Sequence, residues 1–273
     1  LSACAPCTGF SRANPLNHIR DDHRNNLVVQ SAHFATALDV DILVMENARE
    51  LLTGNFREHF GQLKDHLESN GYKVHAATHL LNRFGLPQIR ERALLLAVKK
   101  RLPLHSLEEL WEGMEPSPES TTVRRAFDRI RPDSSCQDTY PRFSNQTVEK
   151  RMSAIPPNGG GWTDLIFHPE SDLLLTDAMK KRVRQHKLGS HPDVYGRMWW
   201  DKPAPTIKRE CSHIGNGRYA HPEKHRLCSL REMATLQGFP NSFEFNGASL
   251  ANNYRHIGDA VPPLISFQLA WVC

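Results

Sequence analysis

Cys7 sits in Ala5-Pro6-Cys7-Thr8, and a second thiol, Cys4, lies three residues before it. Two thiols around a proline admit three chemistries. They can form a redox pair, in which a low-pKa thiolate attacks and its neighbour resolves the mixed disulfide. They can form half of a metal site, completed by other Cys or His ligands. Or one of them can be a lone nucleophile held on a shaped loop. A redox pair needs a strand before it and a helix start after it. Only three residues precede Cys4, and Thr8-Gly9-Phe10-Ser11 opens a helix poorly. Metal ligands would have to come from Cys211, His213, His221, His225 and Cys228, whose spacing matches no standard zinc pattern. No metal is therefore expected. The lone nucleophile leaves Cys4 as a small apolar residue on a strand. A second reactive position is Glu46-Asn47, which closes the apolar run Asp41-Ile-Leu-Val-Met45.

These side chains need a scaffold. The run 41–47 suits a strand buried on both faces. Residues 23–39 have a helical pattern, with Leu27, Phe34 and Leu38 expected to face a core. Residues 55–71 place Phe56, Phe60, Leu63 and Leu67 on one helical face, with Gly71 as the stop. Residues 72–78 and 92–98 are further strand candidates. The order predicts an α/β fold with an open, doubly wound, mostly parallel sheet. Ligands bind such sheets beyond the carboxyl ends of strands, where Glu46 would lie. After about Leu102 the composition turns rich in Pro, Gly and Ser, predicting a smaller irregular domain. Within it Ser106/Glu109 and Ser229/Glu232 have the spacing of capping boxes, Gly238 stops the second helix, and residues 262–272 form a last apolar helix.

The net charge is +4, but basic residues crowd the stretch from Lys180 to Arg226, including Lys208, Arg209 and Arg218. That excess favours a polyanionic partner. No apolar run approaches a membrane span. Six cysteines in 273 residues suit a reducing compartment better than a disulfide framework.

Six segments, in order, resemble the motifs of the cytosine-C5 DNA methyltransferases. They are APCTGFS (5–11), DDHRNNL (21–27), ENARELL (46–52), FGLPQIRER (84–92), RLCSLREMATLQGFP (226–240) and HIGDAVPP (256–263). The resemblance spans residues 2–273. It implies S-adenosylmethionine as cofactor and double-stranded DNA as partner, with Cys7 adding to C6 of a flipped cytosine. It gives Glu46 to N3 and the exocyclic amine, and Arg92 to O2 and to the Glu46 carboxylate as a bidentate pair. Arg90 and Asn47 support them. Pro6, Leu27, Asp259 and Val261 would remain of the cofactor pocket. Ser11, Lys208, Arg209, Arg218 and Arg226 would contact DNA, and a recognition region at roughly 130–225 would read its sequence. Trp162, Trp199 and Trp200 are expected to pack the small domain. The catalytic domain would take residues 1–102 and 246–273, with 103–245 as recognition region and small domain.

The sequence departs from the family pattern. The Gly-rich segment that holds the methionine end of the cofactor has no counterpart before Cys7 or after Pro263. The expectation is a methyltransferase fold without its first strands, inactive unless that segment is supplied, for instance by a second polypeptide. Thr8 stands where Gln is usual, Asp259 where Asn is usual, and Ala48 where Val is usual. A prokaryotic restriction–modification setting, in the cytoplasm and nucleoid, follows by resemblance. The alternatives are a non-catalytic DNA-binding remnant and an RNA cytosine methyltransferase. The latter branch usually carries a Cys-Phe-Thr element that is not found here.

Overall fold

The computed structural model describes residues 1–11, 19–131, 139–189 and 191–273. The chain forms two compact units, one of Leu1–Phe84, Arg90–Glu115 and Ile265–Cys273, the other of Gly85–Ile89 and Pro116–Leu264.

The first unit is built on four strands: β1 (Ser2–Ala3), β2 (Ile42–Ala48), β3 (Tyr72–Leu80) and β4 (Glu91–Lys99), in spatial order β1-β2-β4-β3. Helices α1 (Asn26–Ala37), α2 (Glu50–Thr53) and α3 (Glu58–Ser69) fill the connections, and α4 (Leu107–Trp111) follows β4. The fold is α/β as expected, but the pairing corrects the sequence reading. Only β1 and β2 pair in parallel, and β4 is inserted antiparallel to both β2 and β3. The 81–90 link between β3 and β4 is shorter than the dozen or so residues that a parallel crossover needs. Burial shifts with the pairing. Ala93 to Val98 of central β4 are all buried, whereas β2 alternates, with Leu43 and Met45 covered and Val44 and Glu46 only partly so.

α1 also presents a different face from the one its bulkiest residues suggest. Val28, Ala32 and Ala35 join the core, while Leu27, Phe34 and Leu38 are exposed. Both faces of this helix are apolar, so periodicity alone could not choose between them. The small side chains let α1 lie close to α3, where Thr36 Oγ1 meets His66 Nε2 at 2.9 Å. α3 matches its pattern: Leu63 and Leu67 are buried, and Phe56 and Phe60 pack beside them. Gly71, at φ 86°, ends it.

The second unit has short helices α5 (Val123–Asp128), α6 (Gln146–Ala154), α7 (Ser171–Leu174), α8 (Asp177–Arg184), α9 (Leu230–Leu236) and α10 (Leu250–Asp259); α11 (Pro263–Val272) then enters the first unit at Ile265. Both predicted capping boxes form, Ser106/Glu109 on α4 and Ser229/Glu232 on α9. With so little regular structure, many backbone carbonyls lack helix or sheet partners. Buried arginines supply the donors. Arg197, fully enclosed, donates to the carbonyls of Met152, Ile155, His221 and Lys224. The tryptophans pack this unit as expected. Trp162 is 1 % exposed and donates to the His191 carbonyl. Trp199 is stacked by Arg218, and Trp200 meets Phe127 and His221 edge-on. No helix among the described residues is long and apolar enough to cross a membrane.

Candidate active site

The first unit brings Cys7, Glu46, Asn47, Arg90 and Arg92 together. Cys7 lies in the turn after β1, whose carbonyl accepts from the amides of Phe10 and Ser11 at 3.1 and 2.9 Å. Phe10 anchors the turn in the core. Gly9 lets it approach α1, since a Cβ there would stand 2.1 Å from Asn25 Oδ1. Asn47 fixes the other side. Fully buried at the end of β2, it donates from Nδ2 to the Ala5 carbonyl at 3.0 Å and accepts the Ala48 amide on Oδ1 at 2.8 Å. It is a positioning residue that pins the cysteine loop to the strand. Asn47→Ala would strand the carbonyl of Ala5 and the amide of Ala48. It is expected to cost about 1–3 kcal/mol of stability, measurable by urea denaturation.

Register explains why an acid and two guanidiniums converge. On β2 and β4, Glu46 is opposite Leu94 and Ala48 opposite Arg92, so Glu46 and Arg92 project from the same sheet face. Arg92 Nε stands 2.8 Å from Glu46 Oε1, and Arg90 Nη2 3.9 Å from the same oxygen. The expected bidentate pair is corrected to a single contact, because Arg92 Nη1 turns back to the Glu91 carbonyl at 2.7 Å. The Nε–Oε1 approach is also off the hydrogen-bond axis, which leaves the carboxylate acceptor capacity for another partner. Glu46, Arg90 and Arg92 all act on the Cys7 thiol. Its pKa is raised, chiefly by burial; Arg92 and Arg90 pull it down while Glu46 pushes it up.

Cys4 is exposed and lies just past β1 rather than on it, with its pKa also raised by burial of part of the thiol and by Glu46. Both thiols are free. Four of the five Cys and His positions considered for zinc have other partners, and the fifth, Cys228, is fully buried. Cys211 is buried, pushed up to about 12 by desolvation, with its sulfur on the Tyr254 carbonyl. His221 Nδ1 accepts the amides of Glu223 and Lys224, and His225 Nδ1 meets Arg197. They form no metal-ligating cluster among the described residues.

The remaining expected site residues divide between the units. Pro6 is partly covered and Leu27 is 45 % exposed, both in the first unit. Asp259 and Val261 lie in the second, where the Asp259 carboxylate is held by Arg209 Nη1 at 3.1 Å. Of the expected DNA contacts, Ser11 is partly covered beside the cysteine turn, and Lys208 and Arg209 are exposed. Arg218 and Arg226 require correction. Arg218 is 7 % exposed and engages Asp193 and the carbonyls of Gly159, Gly160 and Arg197. Arg226 grips Glu232 with both Nη atoms, at 2.7 and 2.8 Å. Burial has turned these guanidiniums into struts of the irregular unit, so charge counting overstated the surface available to a polyanion. Part of the expected recognition region, 132–138 and 190, lies outside the described residues.

The family model for C-5 cytosine-specific DNA methylase matches residues 1–273. The chain belongs to the C-5 cytosine-specific DNA methylase family. A type II methylase of Herpetosiphon aurantiacus is 33 % identical over 278 residues, covering 99 % of this chain and 74 % of its own length. A type II methyltransferase of Neisseria gonorrhoeae is 32 % identical, over 97 % of this chain and 66 % of its own. The fold resembles a solved E. coli prophage structure described as a putative DNA modification methyltransferase, at TM-score 0.61 and 22 % identity, over 99 % of this chain and 77 % of that one. The cytosine-5 DNA methylases of the family are enzymes, and these two bacterial relatives are of the type II class found in restriction–modification systems.

Proposed function

We propose that this chain carries the nucleophilic cysteine and the base-activating residues of a DNA cytosine-5 methyltransferase. The observation that supports it most is the convergence, in one unit, of Cys7 with Glu46 and Arg92 on the sheet beside it.

Cytosine C5 is too weak a nucleophile to take a methyl group unaided. In this reading the Cys7 thiolate adds to C6, forming an S–C6 bond, and the displaced electron pair makes C5 enamine-like. Charge then builds toward N3 and O2. Glu46, whose arginine contacts both fall on Oε1 and leave acceptor capacity free, holds the exocyclic amine and a proton at N3. Arg92 meets O2. Aimed groups of this kind stabilise developing charge without reorganising. Once C5 had taken up a methyl group with its enamine electron pair, loss of the C5 proton to a base and departure of the thiolate from C6 would restore the aromatic ring. A base stacked in a duplex cannot reach these groups, so it must be flipped out at a cost of a few kcal/mol.

S-adenosylmethionine would supply the electrophilic methyl. Leu27, an exposed apolar side chain in the first turn of α1, and the partly covered Pro6 fit an apolar portion of such a group. Asp259 is engaged by Arg209 and offers a less free carboxylate than the sequence suggests.

The test is covalent trapping. Duplex DNA carrying 5-fluorocytosine, incubated with the protein and S-adenosylmethionine, blocks loss of the C5 substituent. The adduct should be found on Cys7 by peptide mass mapping. An adduct on Cys4, or turnover of normal cytosine with no trapped adduct, would refute the reading.

A further inference from the structure

Away from the cysteine, His75 and His79 of β3 lie four residues apart, and so on one face of the strand. Glu108 of α4 comes to meet them. His79 is buried, with Nδ1 2.9 Å from Glu108 Oε1. One ligand atom from each of His75, His79 and Glu108 lies within 4.8 Å of the others. His75 Nε2 is buried without a hydrogen-bond partner among the described residues, which is costly for a polar atom in a folded protein. All three residues belong to the first unit.

We propose that His75, His79 and Glu108 bind a divalent transition-metal ion, zinc by preference. Two imidazoles and one carboxylate form a donor set common in zinc sites, with a fourth position for water. At zinc–ligand distances near 2 Å, tetrahedral ligand atoms stand roughly 3.3 Å apart. The His79–Glu108 pair is already that close, so small side-chain rotations close the site. Binding through His79 Nδ1 leaves that ring's proton on Nε2. The Glu108 side chain is 56 % exposed, which gives the ion a way in. Beside the site is a cavity of about 850 Å³, lined by Glu91, Glu108, Glu109, Glu112 and Glu115 against a single arginine, Arg83. Glu91 is paired with Arg49, Glu115 with Arg83 and Glu109 with His105, and the carboxylates left over still favour a cation. The ion would tie α4 to β3, the strand at the end of the described sheet. His79 is directly opposite Arg92 in the register, so the brace acts on the strand pair that carries the candidate catalytic arginine.

A second group, Asp21, Glu58 and His59, also brings one ligand atom each to within 4.8 Å of one another. It has one imidazole, and Asp21 already bonds both His59 and Asn25, so it serves as the control. The experiment titrates zinc into chelator-stripped protein against a chromophoric competitor, with cobalt as the spectroscopic probe. One equivalent should bind, with a cobalt spectrum of tetrahedral nitrogen and oxygen ligation. His75→Ala and His79→Ala should each weaken binding at least about tenfold, since even partners of ligands are worth that much. Glu108→Gln, at a half-exposed position that does not threaten folding, should do the same, and zinc should raise the unfolding temperature of the parent more than that of this variant. Asp21→Asn should change nothing. Absence of saturable binding, or binding that survives Glu108→Gln but falls with Asp21→Asn, would overturn the proposal.

Discussion

Cys7→Ala is expected to reduce methyl transfer to cytosine-containing duplex by at least about 1,000-fold, the scale seen when a covalent nucleophile is removed. Cys4→Ala should leave it within a few-fold. The two thiols are three residues apart and both are partly desolvated, so reactivity alone does not separate them. Their surroundings do. Cys7 lies in the turn fixed by Phe10, by the close approach at Gly9 and by Asn47, and it feels both Arg90 and Arg92. Cys4 is exposed, and among the charged groups of the described residues it is Glu46 that acts on it. Methyl transfer from radiolabelled cofactor measures the difference. Equal losses at the two positions would point to a role for the pair rather than for one sulfur.

The residues proposed to carry the chemistry were named through the resemblance of their segments to family motifs, since a lone glutamate at a strand end or an arginine after a loop says little by itself. The helices announced by capping boxes and by Gly71 were plain, since those signals act within one turn. What sequence could not show depends on partners far along the chain. Insertion of β4 between β2 and β3 is decided by which edges meet, and it moved continuous burial from β2 to β4. α1 has apolar residues on both faces, and packing against α3 chose the side with small ones. Arg218 and Arg226 look in sequence like any other basic residue, and only the carbonyls and carboxylate around them reveal that they hold backbone. His75, His79 and Glu108 lie too far apart in sequence, in no standard ligand spacing, to be recognised before α4 is placed over β3.

The acid and the guanidinium should reveal themselves through the cysteine's titration as well as through turnover. Glu46→Gln removes a negative charge that raises the Cys7 pKa, so the thiol should ionise at lower pH than in the parent. Arg92→Met removes the largest influence that lowers it, so ionisation should move to higher pH. Iodoacetamide modification of Cys7 across a pH series reads both shifts directly, because only the thiolate reacts. Below the parent's pKa, Cys7 should therefore be alkylated faster in Glu46→Gln and more slowly in Arg92→Met. Methyl transfer should nevertheless fall in both, by about 100-fold or more, the usual loss when a general acid or an aimed charge is removed. The opposition is the informative part. In Glu46→Gln the sulfur becomes a readier nucleophile while the enzyme becomes slower, which can hold only if the carboxylate acts on the pyrimidine rather than on the thiol. If transfer instead rises along with alkylation, Glu46 does no more than restrain Cys7, and activation of the base must come from elsewhere.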